Sequence, residues 1–209
     1  MRTTESLMAD LTRFDREYFD RWYRNPRTRV LDRAEIARRA ALITTIAEYV
    51  LERRVRSALD VGCGEANWRA PLLEVRPRLR YLGVDPSEYA VRRFGRRRNI
   101  ILGSADALAT LRLRTPFDVV IASGVLNFLS DAALSSAARE IARLTRGVAF
   151  LEIFTSADEV VGDTRGWKRR SAHHYRGLFK AAGLIQCGPH CYVSRARAKT
   201  LAALELVAP

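Results

Sequence analysis

Ala58-Leu59-Asp60-Val61-Gly62-Cys63-Gly64-Glu65-Ala66-Asn67 decides the fold of this 209-residue chain. It reads as a short apolar strand that ends in an acid and breaks into a glycine-punctuated turn. Glycine tolerates positive φ and lets a ligand approach where a Cβ would clash. A second strand, Tyr81-Leu82-Gly83-Val84-Asp85, also ends in an acid. A carboxylate about 20 residues beyond such a turn, at the tip of the next strand, can accept the hydroxyls of a ribose. The two units together read as a nucleoside site. The simpler alternatives are a plain strand-to-helix turn at Gly62 and Gly64 and a helix cap at Asp85.

Two details separate the nucleosides. A pyrophosphate-binding turn runs G-x-G-x-x-G, and its sixth position here is Asn67. Asp60, at the mouth of the turn, would repel a pyrophosphate and suits a ligand with positive charge. S-adenosylmethionine carries an ammonium and a sulfonium and no phosphate. On these residues the chain resembles the class I S-adenosylmethionine-dependent methyltransferases, whose first motif is D-x-G-x-G-x-G. Asp60, Gly62 and Gly64 match it, and Ala66 replaces the third glycine, which should narrow the turn slightly. The family's second acid resembles Asp85. Its adenine-facing acid resembles Asp106 in Gly103-Ser104-Ala105-Asp106, which also suits a helix cap. The fourth strand resembles Phe117-Asp118-Val119-Val120-Ile121, followed by Ala122-Ser123-Gly124.

The resemblance runs from about Val55 to the C-terminus and implies cofactor contacts from four places. These are Asp60, Gly62, Cys63 and Gly64, then Asp85 and Pro86, then Ala105 and Asp106, and finally Ala122 and Ser123. Cys63 fills a variable position and reads as a small buried residue rather than a nucleophile.

Length predicts one compact domain with a helical extension over residues 1–54 and a core over 55–209. No stretch approaches about 20 uninterrupted apolar residues, so no membrane span is expected. The N-terminus lacks the apolar run of a signal peptide, and three cysteines, an odd number, fit a reducing compartment. The expectation is a cytoplasmic protein, monomeric or homodimeric. Cys187-Gly188-Pro189-His190-Cys191 invites a zinc reading, but a second ligand pair is missing unless His173 and His174 fold against it. No metal is expected. The net charge of +13 points toward nucleic acid. Lysine occurs only at Lys168, Lys180 and Lys199, however, so arginine supplies 33 of the 36 basic residues. That reads as compositional bias. The run Arg92-Arg93-Phe94-Gly95-Arg96-Arg97-Arg98 straddles an expected helix end at Gly95, where arginines complement the helix dipole.

Leu7, Leu11, Phe14, Tyr18 and Trp22 recur at helical spacing, and Asn25-Pro26 ends that helix. Asp32 and Glu35 resemble a capping box ahead of a stripe at Ile36, Ala40, Ile43, Ala47 and Val50. The resemblance makes these two N-terminal helices a lid. From Val55 strands and helices alternate. This predicts a Rossmann-like α/β fold, a seven-stranded, mostly parallel sheet with helices on both faces. Strands are expected near 57–61, 80–84, 99–102, 117–121 and 147–153. A helix is expected over Asp131–Thr145, and a loop from Thr155 to Arg170 precedes a helix capped by Ser171. A closing antiparallel pair falls near 184–192 and 201–207, the latter equally readable as helix.

Ligands of open α/β sheets bind at the carboxyl ends of the strands. That edge nominates an acceptor pocket of Asn127, Glu152, Phe154, Trp167 and Tyr175, with Tyr18, Trp22 and Tyr23 reaching in from the lid. His173 or His174, in the first turn of a helix beginning at this edge, is the candidate base, since histidine titrates near neutrality. A solvated histidine at a helix end is the simpler reading. Enzymes that methylate exocyclic base amines resemble one another in an N/D-P-P-Y/F turn after the fourth strand, and Ala122-Ser123-Gly124-Val125 lacks it. The expected activity is methyl transfer from S-adenosylmethionine, yielding S-adenosylhomocysteine, to oxygen or nitrogen of a small molecule. Two alternatives stay open: an RNA or protein methyltransferase using the basic surface, and a non-catalytic S-adenosylmethionine-binding domain.

Overall fold

The computed structural model describes residues 14–30, 32–113 and 115–207. Leu7 and Leu11, the first two positions of the N-terminal stripe, lie outside the described residues. A helix α1 (Arg16–Phe19), begun by Asp15 accepting from the Tyr18 N–H, continues as one wider turn over Asp20–Arg24. It stops at Asn25, ahead of Pro26. Helix α2 (Arg33–Leu51) follows, and all five residues of its apolar stripe are buried. The expected capping box does not form: Asp32 makes no side-chain cap, and Glu35 turns one step along the helix to pair with Arg39 at 2.5 Å.

The sheet then builds from β1 (Ser57–Val61), β2 (Arg80–Asp85), β3 (Ile100–Leu102), β4 (Phe117–Ser123), β5 (Thr145–Glu152), β6 (Leu184–Gly188) and β7 (Cys191–Ser194), in the order β3-β2-β1-β4-β5-β7-β6. The pairs β1–β2, β1–β4, β2–β3 and β4–β5 are parallel, and only β7 runs antiparallel to its neighbours. Strand order reverses between β1 and β4, which opens a crevice at their carboxyl ends.

Helices cover both faces. On one lie α2, α3 (Arg69–Val75) and α4 (Glu88–Arg98); on the other lie α5 (Asp131–Leu144), α6 (Ala172–Ala181) and a 3₁₀ turn over Ala105–Leu111. Each face has its own apolar core, because the central strands are buried on both sides: all five residues of β1 are. Such strands read as continuous apolar runs rather than alternating ones.

Of the two N-terminal helices, the first covers the crevice, and the second adds only Glu35 and Arg39 of its first two turns to the cavity walls there. The second is a layer of the core, because Ala40, Ile43 and Ala47 are completely buried in the same cluster as β1, β4 and β5. Three other expectations are corrected. Helix α4 does not end at Gly95 but runs to Arg98, where Asn99 takes a left-handed conformation (φ 56°) and closes the helix. Its Arg98 lies 4.1 Å over the Phe94 ring and donates to the Glu65 carbonyl, so this arginine belongs to the packing of the glycine turn. The closing strand is Cys191–Ser194 rather than 201–207, since Pro189 and His190 (φ 55°) make a tight hairpin turn. Residues 203–205 form a short 3₁₀ turn instead.

Candidate active site

Two cavities adjoin at the carboxyl edge of β1 and β4. The first, ≈ 360 Å³, is walled by Gly62 and Gly64, by Asp85 and Pro86, by Ser104, Ala105 and Asp106, and by aromatic residues of α1. The second, ≈ 350 Å³, lies beneath the loop that follows β5. Tyr18, Tyr23, Ser123, Gly124 and Phe128 belong to the walls of both. A ligand in one can therefore meet a ligand in the other across these shared residues.

The floor of the first cavity is backbone held by a carboxylate. Gly62, Gly64 and Ala66 all have positive φ (70°, 54° and 60°). A Cβ at Gly62 would overlap both methyls of Val125, and one at Gly64 would come within 2.8 Å of the Tyr23 hydroxyl. Alanine stands in the left-handed geometry at the third position, against a cost of about 1–2 kcal/mol for an L-residue. The Gly62 and Cys63 N–H groups donate to the Val84 carbonyl, which fastens the turn onto β2. Asp85 accepts from the Gly64 N–H at 2.6 Å and from the Ser87 N–H at 2.9 Å, one on each oxygen. Ser87, not Asp85, caps α4, accepting from the Ala90 N–H. A carboxylate offers about four lone-pair positions, so Asp85 retains acceptor capacity toward the cavity.

The acids are electrostatically distinct. Burial raises Asp85 to about 6, against the opposing hydrogen bonds from Ser87 and Gly64. Burial also raises Asp60, to about 7, opposed by its hydrogen bond from the Tyr81 hydroxyl (2.6 Å) and reinforced by the charge of Asp85. Asp60 is not in the cavity wall. It lies behind the turn, turned toward Tyr81. Cys63 and Ala122 are likewise outside the wall: the Cys63 thiol packs against Gly83, and burial drives its pKa far up, which makes it inert. Ala122 is buried within β4. Asp106 sits in the first turn after Ser104, whose hydroxyl donates to it at 2.5 Å.

The second cavity collects most of the acceptor residues expected from the sequence: Tyr18, Tyr23, Asn127, Glu152, Phe154 and Trp167. Four expected residues are elsewhere. Tyr175 is buried behind the wall, where its hydroxyl accepts from Asn127 at 3.1 Å. Trp22 lines neither cavity and stacks beneath Arg21. His173 and His174 line neither cavity and are exposed. Tyr175 takes the inward position of that helical turn. At about 100° per residue, the two residues before it point away. His174 Nε2 instead lies 3.6 Å from Asp131 on the surface.

Asn127 lines the wall, yet its side chain holds the covering loop. It donates to the Phe154 carbonyl at 2.6 Å and accepts from the Phe154 N–H at 3.4 Å, while its own carbonyl takes the Lys168 N–H. Ser156 N–H to Arg170 carbonyl closes the loop at its base. The sequence reading missed Arg39, which approaches Glu152 at 2.6 Å; Ser123, expected among the cofactor contacts, lines both cavities and donates its hydroxyl to the same carboxylate. Spacing alone pairs Arg39 with Glu35, one helical turn earlier; the link to β5 is tertiary. Among the described residues no three His, Cys, Asp or Glu side chains cluster as metal ligands. No helix there is long and apolar enough to cross a membrane.

The reversed strand order, the glycine turn and the acid at the tip of β2 define a Rossmann-like α/β domain of the methyltransferase fold. Residues 58–147 match the family described as methyltransferase domain. No curated protein sequence matches the chain. Solved structures share the fold. The sugar N-methyltransferase KedS8 from Streptoalloteichus sp. is 22% identical, with 80% of this chain and 90% of that one aligned and a TM-score of 0.58. CalS10, an amino pentose methyltransferase from Micromonospora echinaspora, is 17% identical over 72% and 84%, with a TM-score of 0.57. The O-methyltransferase NcsB1 of neocarzinostatin biosynthesis is 22% identical over 78% of this chain, with a TM-score of 0.51, and this chain spans 57% of its length.

Proposed function

We propose that the protein transfers a methyl group from S-adenosylmethionine to oxygen or nitrogen of a small-molecule acceptor. The observation that carries this reading is the pair of adjoining cavities. One has the glycine floor and strand-tip acids of a nucleoside site, and the other lies across Tyr18, Tyr23, Ser123, Gly124 and Phe128. When bound, the cofactor supplies a methyl group activated by a positively charged sulfur. The residues present fit it: Asp85 keeps lone pairs for sugar hydroxyls, Gly62 and Gly64 leave room for its amino-acid arm, and Asp106 stands at the opposite end for the base.

What the chain contributes is position and exclusion of water. Phe14, Tyr18, Phe19 and Tyr23 close the nucleoside cavity from above. Asn127 holds the loop that closes the acceptor cavity. Fixing two reactants in line lowers a barrier by several kcal/mol. Histidine has no part in this reading, because both candidates face solvent. The solved relatives named above as sugar, amino pentose and O-methyltransferases support a small acceptor. A cytoplasmic location is supported by three unpaired cysteines. Calorimetry with S-adenosylmethionine, followed by detection of S-adenosylhomocysteine over a panel of small alcohols and amines, tests the reading. Absence of cofactor heat would overturn it.

A further inference from the structure

The acceptor cavity opposes the charge of the molecule around it. The chain carries +13, yet this wall holds four carboxylates, Glu35, Glu152, Glu159 and Asp163, against one guanidinium, Arg39. Arg39 bridges Glu35 and Glu152 at 2.5 and 2.6 Å, so it offsets one negative charge of the two. Two of the carboxylates are withdrawn from water. Glu152 is 5% exposed, and the Asp163 side chain is also 5% exposed and pairs with Arg165 at 3.2 Å. Aromatic rings of Tyr18, Phe154 and Trp167 stand among them. Acids combined with ring faces make a surface for an organic ammonium, since a cation over an aromatic face is attracted to it even without an ion pair. A carboxylate-bearing or phosphorylated acceptor would meet repulsion there.

A second, independent observation concerns Trp167. Its indole Nε1–H is buried and has no hydrogen-bond partner among the described residues, although the residue is part of the cavity wall. A buried donor left unpaired costs stability, and indole nitrogen can only donate. A ligand oxygen in the cavity would satisfy it.

Resting on the methyl-transfer reading above, we propose that the acceptor is an amine, held as its ammonium cation by the acidic wall and carrying a hydrogen-bond-accepting oxygen that Trp167 grips. Glu152 is the wall carboxylate at the junction, because Ser123, which lines both cavities, donates to it. The reacting nitrogen sits beside it. An ammonium has no lone pair, so one proton passes from nitrogen to water. The nitrogen lone pair then forms the C–N bond as the C–S bond breaks, its electron pair leaving on sulfur.

The test uses three compounds of one shape: 4-methoxyphenethylamine, 4-methoxyphenethyl alcohol and 3-(4-methoxyphenyl)propionate. Each is titrated by calorimetry into protein saturated with S-adenosylhomocysteine and into protein without it. The amine should bind about tenfold more tightly than the alcohol, the scale of one charge-assisted contact, and the propionate most weakly. The double variant Glu159→Gln with Asp163→Asn, both on the covering loop, should weaken amine binding about threefold or more and leave the alcohol unchanged. Trp167→Phe, which keeps the ring, should weaken the methoxy amine and not plain phenethylamine. Equal affinity for amine and alcohol, preference for the propionate, or no amine binding would each overturn the proposal. Failure of the nucleoside to bind at all would instead remove the methyl-transfer reading, and the cofactor-free titrations still report on the amine.

Discussion

Asp85 and Asp60 show how single residues set the chemistry of the first cavity. Both carboxyls are raised from an ordinary value of 3.8, to about 6 and about 7, chiefly by burial. A raised acid pKa favours the protonated folded form, so its stabilising contribution is full at low pH. That contribution declines as pH climbs from the ordinary value through about 6 and 7. The cofactor-free protein should therefore lose melting temperature between about pH 5 and pH 7.5 from these two groups. A cationic nucleoside reverses the preference, since it stabilises the ionised carboxylates. Cofactor affinity should rise over the same interval, with proton release near pH 6. Calorimetry in two buffers of different ionisation heat measures this, and a pH-independent affinity would refute it. Gly62 makes a steric prediction. Its φ of 70° and the overlap of a new Cβ with Val125 mean that Gly62→Ala should weaken cofactor binding by about tenfold or more and lower the melting temperature. At this scale the glycines and acids were legible in the sequence as a motif. The backward turn of Asp60 was not, because it depends on Tyr81 of a different strand.

Helix α1 is the element whose role local sequence foretold least. The Ser87 hydroxyl donates to the Phe14 carbonyl at 2.6 Å, and Arg24, at the other end, pairs with Glu65 of the glycine turn. The helix is thus tied at one end to the loop after β2 and at the other to the loop after β1, the two segments that form the cofactor floor. Phe19, 1% exposed, stacks on Tyr89 between these ties. Arg24→Ala removes one tie but leaves the buried aromatic anchor. The expected result is faster cofactor release, several-fold by stopped flow, with little change in melting temperature, since the Arg24 side chain is 40% exposed. A large stability loss with unchanged release would contradict this. The apolar period announced a helix up to Asn25, but periodicity is blind to which surface a stripe covers. The same blindness put His173 and His174 in the site. Both lie in the first turn of α6 as expected, and Ser171 caps it as expected, but Tyr175 claims the inward direction. Replacing each histidine with alanine should leave turnover unchanged. Pro189 and His190 were read as part of one strand over 184–192 rather than as a hairpin turn, which displaced the last strand by about ten residues.

At the scale of the whole molecule, the arginine excess is partly an internal scaffold. Composition showed the bias but carried no record of which guanidiniums are paired. Arg24, Arg39, Arg53, Arg76 and Arg170 each reach an acid distant in sequence. The fold class, by contrast, was legible because alternating strand and helix periods and a parallel topology constrain each other over the full length. Asp118 is where the scaffold concentrates. It lies at the end of β4 opposite the cavities, completely buried, and accepts from Arg53 at 3.0 and 2.7 Å, from Arg146 at 3.2 Å and from the Arg56 N–H at 2.8 Å. Burial alone would raise its pKa, but the Arg53 and Arg56 hydrogen bonds and the Arg53 and Arg146 charges outweigh it, and the net shift is downward. Asp118→Asn keeps the shape and removes the charge. Breaking a buried pair costs about 3–5 kcal/mol, and the exposure of Arg53 and Arg146, which can turn to water, places this variant at the lower end. A loss of about 3 kcal/mol corresponds to roughly 6–12 °C in a chain of this size. Because the pKa is lowered, the stabilisation is present above the ordinary carboxylate value and is lost as pH falls through the lower, folded one. The gap in melting temperature between the parent and Asp118→Asn should therefore be wide at neutral pH and close in acid, while cofactor affinity, governed by the opposite edge of the sheet, stays unchanged. A gap that persists undiminished in acid would mean that shape, not charge, is what Asp118 supplies.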